Sequence, residues 1–117
     1  MLRDIATPDT ALSRIGIAIR WIRENFAEPL RVDTLAEMAA LSVSAFHRHF
    51  KAVTALSPFQ YQKQVRLLRA RSLLIAGEGN VTSIAFGVGY ESPTQFSREY
   101  ARQFGMPPSR DAARLRR

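Results

Sequence analysis

The 117-residue sequence predicts an all-α fold of about seven helices, arranged as two helix-turn-helix lobes joined by a long linker helix. Three observations predict it. The first is an internal repeat: in the stretch Leu41 to Lys51, Ser42, Phe46, Arg48 and Phe50 recur fifty residues later as Ser92, Phe96, Arg98 and Tyr100. At that same offset Ala55, Leu56, Ser57 and Pro58 align with Gly105, Met106, Pro107 and Pro108. Upstream, Leu35, Ala36 and Leu41 match Ile84, Ala85 and Tyr90 at forty-nine, so the second copy carries one extra turn residue. The second observation is apolar spacing at steps of three and four, the period of an amphipathic helix. The third is punctuation, with capping residues, prolines and glycines falling at helix-length intervals.

Residues 1–8 show no period and end in Pro8, which reads as a flexible tether or a cloning remnant. Asp9 or Thr10 can cap the first helix, whose expected buried stripe is Leu12, Ile15, Ile19, Ile22 and Phe26, with Pro29 ending it. Asp33 is the expected N-cap of a short second helix bearing Leu35, Ala36, Met38, Ala39 and Leu41. Its alanines allow a neighbouring helix to cross closely, and Ser42 can cap that neighbour after a few turn residues. In the third helix Phe46, Phe50 and Val53 supply the buried stripe, leaving Ser44, His47, Arg48 and Lys51 outward.

Ser57 and Pro58 open the linker helix, which Gly77 stops after Ala76. Tyr61, Val65, Leu68 and Ser72, with Leu67, Leu74 and Ile75, give it a wide buried stripe. Lys63, Arg66, Arg69 and Arg71 make it basic, with no acid between Pro58 and Gly77. Its nineteen residues amount to a rod of roughly 28 Å. Asn80 or Thr82 caps a helix holding Ile84, Ala85 and Val88, and Gly89 suits the turn that follows. Ser92 and Pro93 start the next helix, where Phe96 and Tyr100 face inward and Thr94, Ser97, Arg98 and Arg102 outward. A last short helix from Pro108 or Ser109 carries Arg110, Arg114, Arg116 and Arg117 against Asp111, with a frayed tail. The expected division is thus a tether over 1–8, a first lobe over 9–56, the linker helix over 57–77 and a second lobe over 78–117.

A chain of this size can bury one core, and the repeat allows that core to be split between lobes. Apolar residues make up 46%, which marks a globular chain, yet no apolar run approaches the roughly 18 residues of a membrane span. No membrane partner and no secretory leader are expected. The absence of cysteine excludes disulfides, thiolate metal sites and a cysteine nucleophile, and suits a reducing cytoplasm. The net charge of +7 is unevenly placed. Residues 1–40 carry five Arg against six acids, whereas residues 41–117 carry twelve Lys and Arg against four acids. The positive excess therefore lies with the repeats, and phosphates of nucleic acid are the most common partner of such a surface.

Two helix-turn-helix units on a rod of this length suit double-stranded DNA, because an α-helix fits the major groove and successive grooves on one face lie about 34 Å apart. One chain could then fill two adjacent grooves at an asymmetric site. Arg48 and Arg98 can each bond guanine O6 and N7 in bidentate fashion, and His47 can donate to a base or a phosphate. Ser44, Thr94 and Ser97 are short and offer weak bonds or a methyl contact, while Pro93 offers apolar contact alone. Lys51, Arg102 and Lys63, with the helix N-termini at Ser42, Thr82 and Ser92, suit phosphates.

Three stretches carry a family likeness: Leu35, Ala36 and Ser42 through Phe46, Arg48, Phe50 and Lys51; then Ser57, Pro58, Tyr61, Arg66, Leu67 and Ala70; then Ile84, Ala85, Gly89, Tyr90, Ser92, Gln95 to Arg98, Gly105 and Pro108. Through these, over roughly residues 15–112, the chain resembles the C-terminal DNA-binding domain of AraC-type transcriptional regulators. The resemblance implies a seven-helix, two-lobe fold that regulates transcription, with base contacts from the third and sixth helices. The matching positions are Ser44, His47 and Arg48, then Pro93, Thr94, Ser97 and Arg98. It also implies RNA polymerase as a partner, no cofactor, and in many relatives a sensory N-terminal domain, which would make this chain a fragment; other relatives are complete at this size. Departures are Ala55, where the family often has Gly, Ala101, where it often has a basic residue and a phosphate contact, and Tyr100, where Phe is usual.

Two rival readings are weaker. An enzyme lacks ingredients, since His47 and His49 stand two apart on one helix and so face apart, with no other His and no Cys to complete a site. A basic helical module that binds an acidic protein partner is the better rival, but it has no need of Arg48 and Arg98 at equivalent points of two repeats.

Overall fold

The computed structural model describes residues 10–116, and the expected tether over 1–8 lies outside them, as does Arg117. Among the described residues there are seven helices and no strand: α1 Ala11–Glu24, α2 Val32–Met38, α3 Val43–Thr54, α4 Pro58–Ala76, α5 Val81–Gly87, α6 Pro93–Phe104 and α7 Pro108–Leu115. They form two compact units. Among the described residues, one comprises 10–25 together with 30–62, the other 26–29 together with 63–116. The boundary falls inside α4, and the loop after α1 belongs to the second unit.

In the first unit α1 contributes Ile15, Ala18 and Ile22 to the core, α2 contributes Leu35, Ala36 and Ala39, and α3 contributes Phe46 and Phe50. Thr10 caps α1 by accepting the Ser13 N–H at 3.1 Å. The helix ends at Glu24, with Asn25 as C-cap, rather than at Pro29. Two members of the expected stripe lie elsewhere: Leu12 is 66% exposed, and Phe26, beyond the helix, packs against the second unit's core. Asp33 is not the cap of α2. That place falls to Arg31, which makes no side-chain cap bond, and Asp33 instead accepts from the Thr34 N–H in the first turn. A seven-residue helix with so weak a start depends on its buried leucine and alanines rather than on its ends. Met38 and Val53 are also exposed rather than buried, at 39% and 41%.

The second unit repeats the arrangement with Ile84 and Ala85 of α5, Val88 after it, and Phe96 and Tyr100 of α6, packed with Leu67, Ala70 and Leu74 of α4 and Ala112 of α7. The wide stripe expected of α4 narrows to Leu67, Ala70 and Leu74 in this unit, while Leu68 and Ile75 are 50% and 40% exposed. Ser57 and Gln60 cap the start of α4 reciprocally, each side chain accepting the other's backbone N–H. Asn80, not Thr82, caps α5, accepting the Ser83 N–H at 2.7 Å.

The two turns are copies at the level of hydrogen bonds. Leu41 N–H reaches Ala36 O and Ala40 N–H reaches Glu37 O; Tyr90 N–H reaches Ala85 O and Gly89 N–H reaches Phe86 O. Each is a Schellman close, which demands a left-handed residue at its centre. Gly89 takes that place at φ +108°, whereas Ala40 takes it at +58°. The extra residue of the second copy is Glu91, exposed between this turn and Ser92. Helices α3 and α6 end alike too, on Ala55 at φ +67° and Gly105 at +88°, so the Ala55 that stands where glycine is frequent carries left-handed strain.

Gly89→Ala is expected to destabilise the protein by about 3 kcal/mol, since a Cβ there would lie 2.7 Å from Ala27 O and 2.8 Å from Arg66 Cζ. Ala55→Gly is expected to stabilise by about 1 kcal/mol through relief of that strain. Urea unfolding of each variant beside the wild type measures both.

Candidate nucleic-acid interface

Each unit holds one helix down by aromatic burial and leaves its opposite face bare. In α3 the rings of Phe46 and Phe50 are fully buried, 5.6 Å apart, and Phe50 meets Tyr61 edge-on at 5.7 Å. With that stripe buried, the 3.6-residue period sends Ser44, His47, Arg48 and Lys51 to the surface, and all four are exposed. In α6 Phe96 and Tyr100 are fully buried, 5.7 Å apart. Thr94, Arg98 and Arg102 are exposed, while Pro93 and Ser97 are half-buried. The outward set expected of each helix is thus gathered on one face of that helix.

The caps expected at both helix starts are present. Ser42 Oγ accepts the Ala45 N–H and Ser92 Oγ accepts the Gln95 N–H, each at 3.1 Å. Both leave first-turn amides near the surface, where the helix dipole favours an anion. Thr82 is exposed inside the first turn of α5, one position past Val81. Lys63 is exposed, but its Nζ lies 3.4 Å from Glu99 Oε2, so an anion would have to share it.

Glu99 is the residue that sequence reasoning missed on α6. It accepts from Tyr90 Oη at 2.6 Å and from Gln95 Nε2 at 3.1 Å. Burial opposes its charge, yet the bonds from Tyr90 and Gln95 and the Lys63 ammonium hold its carboxyl below the usual range. Those partners offset an acid that would otherwise repel phosphate beside Arg98. Gln95 was missed as well: it is exposed, three residues before Arg98, and an amide there can pair with adenine. Its spacing of four from Glu99 is a signal the sequence does contain.

Of the four cations expected along α4, three are engaged by their own unit, Lys63 by Glu99. Arg66 donates to Phe26 O at 2.6 Å and Glu28 O at 3.1 Å, and Arg71 pairs with Asp111 at 3.0 Å. Arg116 likewise donates twice to Leu74 O, at 3.1 and 2.8 Å, which corrects the expectation of a frayed tail at that residue. Asp111 itself is fully buried, accepting from Tyr100, Arg71 and Arg114.

Two helix-turn-helix units, each showing a basic face on an aromatic-anchored second helix, define a helix-turn-helix protein of the DNA-binding class. A family model for the helix-turn-helix domain matches residues 35–114. The transcriptional activator RhaS of Escherichia coli (strain SE11) is 34% identical over 100 residues, which are 86% of this chain and 36% of that protein. The DNA-binding domain of AdpA, solved in complex with a target DNA, superposes with a TM-score of 0.80 at 30% identity, covering 87% of this chain and 92% of that one. An AraC-type regulator from Chromobacterium violaceum gives 0.81 at 28%, covering 87% and 91%. The chain belongs to the AraC-type helix-turn-helix family, as a DNA-binding domain of a transcriptional regulator. It spans about a third of the length of the RhaS activator that it matches. Among the described residues no helix is long and apolar enough to cross a membrane.

Burial works against the Asp111 charge, but the hydrogen bonds from Tyr100, Arg114 and Arg71 outweigh it and hold the carboxyl below its ordinary value. A depressed folded-state value contributes stability that is present above the unfolded value, about 3.9, and is lost as pH falls through the folded one. Asp111→Asn is expected to cost about 3 kcal/mol near neutrality and to flatten the fall in stability between about pH 5 and pH 2. Urea titrations across that range, compared with wild type, measure it.

Proposed function

We propose that the chain binds one asymmetric duplex site, with α3 and α6 entering adjacent major grooves and no catalytic step. The observation that carries this reading is the recurrence of an exposed arginine, Arg48 and Arg98, two residues before the second buried aromatic ring in each of two units. A solvated face has no need of that equivalence. In this reading Arg48 and Arg98 read guanine, His47 and Thr94 take flanking bases, and Ser44, Pro93 and Ser97 make short-range contacts. Lys51, Arg102, Lys63 and the helix starts at Ser42, Thr82 and Ser92 hold phosphates and set the register.

Two larger partners follow from the family. The RhaS relatives are named as activators, and this chain matches only 36% of such a protein. RNA polymerase and a separate N-terminal sensory domain are therefore proposed as partners, with the cytoplasm as the site of action.

Arg48→Ala and Arg98→Ala are each expected to relax specificity by about 1–3 kcal/mol, at different bases. Lys51→Ala is expected to weaken binding to all sequences and to lower the slope of log K against log salt by about one. A pooled selection with random duplexes, followed by salt-dependent binding to the selected site, measures all three. A two-fold symmetric selected motif would overturn the asymmetric reading, and the absence of salt-dependent binding to duplex DNA would favour an acidic protein partner.

A further inference from the structure

The internal repeat pairs Phe50 with Tyr100 and Tyr61 with Asp111, both fifty residues apart. In the first unit this pair is a packing contact, with the Phe50 and Tyr61 rings edge-on at 5.7 Å and 82°. In the second unit the same two positions have changed together. The Tyr100 hydroxyl donates to Asp111 Oδ2 at 2.6 Å, where a hydroxyl has replaced the Phe50 ring edge and a carboxylate the Tyr61 ring.

The replacement recruits more than one bond. Arg71 Nε of α4 donates to Oδ2 at 3.0 Å, and Arg114 Nη2 of α7 donates to Oδ1 at 3.0 Å, so both carboxylate oxygens are used. The guanidinium of Arg71 also lies 4.4 Å from the centre of the Phe104 ring. Two residues of α6, Tyr100 and Phe104, are therefore held by one ionic cluster built on the buried Asp111 carboxylate. A ring packed edge-on tolerates small slides, whereas a short hydrogen bond to a charge is directional and weakens steeply when its angle opens.

We propose that Asp111 is a positioning residue for DNA reading by the second unit: acting through Tyr100, it fixes the rotation and height of α6, and so the aim of Arg98. The first unit aims Arg48 by aromatic packing instead. This inference rests on the proposed role of the two helices as readers. It makes the units unequal, with discrimination in the second resting on a hydrogen-bonded charge.

The test uses the full chain and a duplex selected by wild type, with the bases read by each unit assigned from Arg48→Ala and Arg98→Ala. Tyr100→Phe removes one hydroxyl and leaves the ring. It is expected to lower discrimination at the Arg98 bases by about tenfold while leaving the Arg48 bases unchanged. Asp111→Asn, measured below its own melting temperature, is expected to act in the same direction and more strongly. A merely structural role would reduce the active fraction and weaken all duplexes by one common factor. That result for Tyr100→Phe, or no change at all, overturns the inference. A wild type with no base preference tied to Arg98 would overturn the two-reader function itself and this inference with it, which separates the two failures.

Discussion

The burial of two aromatic rings on one side of a twelve-residue helix is the constraint on which everything else depends. Phe46 and Phe50 in α3, and Phe96 and Tyr100 in α6, are fully buried. Helices this short are marginal alone, and tertiary burial supplies most of their stability. Once the rings are committed to the core, the helical period determines which side chains face water. The functional face is thus a consequence of the hydrophobic one.

Charge in the second unit is managed rather than simply displayed. A basic chain that must face phosphate would be expected to leave its arginines free, yet Arg66, Arg71, Arg114 and Arg116 are all bound to backbone carbonyls or to Asp111. Arginine suits that use because its planar fork satisfies two acceptors at once. Glu99 shows the complementary case, an acid on α6 held by Tyr90, Gln95 and Lys63. The cations left exposed on α3 and α6 are Arg48, Lys51, Arg98 and Arg102, and these carry the positive face of the two helices.

The two copies share their turns, their caps and their aromatic pair, but differ in how they tolerate the same backbone. Both turns need a left-handed residue, and glycine supplies it in one while Ala40 endures it in the other. Gly89 also has a reason that the turn alone does not provide, since Ala27 O and the Arg66 guanidinium lie where a side chain would be. Family membership accounts for the shared frame, as the match over residues 35–114 indicates.

Much of this was legible in the sequence, because repeats, caps and helical periods are local properties. The seven helices, the caps at Ser42, Ser57 and Ser92, the positive φ at Gly89 and the outward positions of α3 and α6 all follow from residues within one turn of each other. Most of what was not legible depended on partners distant in sequence. Leu12 and Leu68 fit an apolar period but are 66% and 50% exposed. Phe26 continues the period of α1 yet joins the other unit's core, and Asp33 lost the cap to Arg31 by a difference of two residues. Arg71 counted among the cations of a basic rod and Asp111 stood against the arginines of the last helix, until the fold paired these two, forty residues apart, around the buried carboxylate. Local spacing determined which helices form and which faces they offer; only tertiary packing decided which charges those faces keep, because desolvation forces a buried charge to find its partner wherever the chain has brought one.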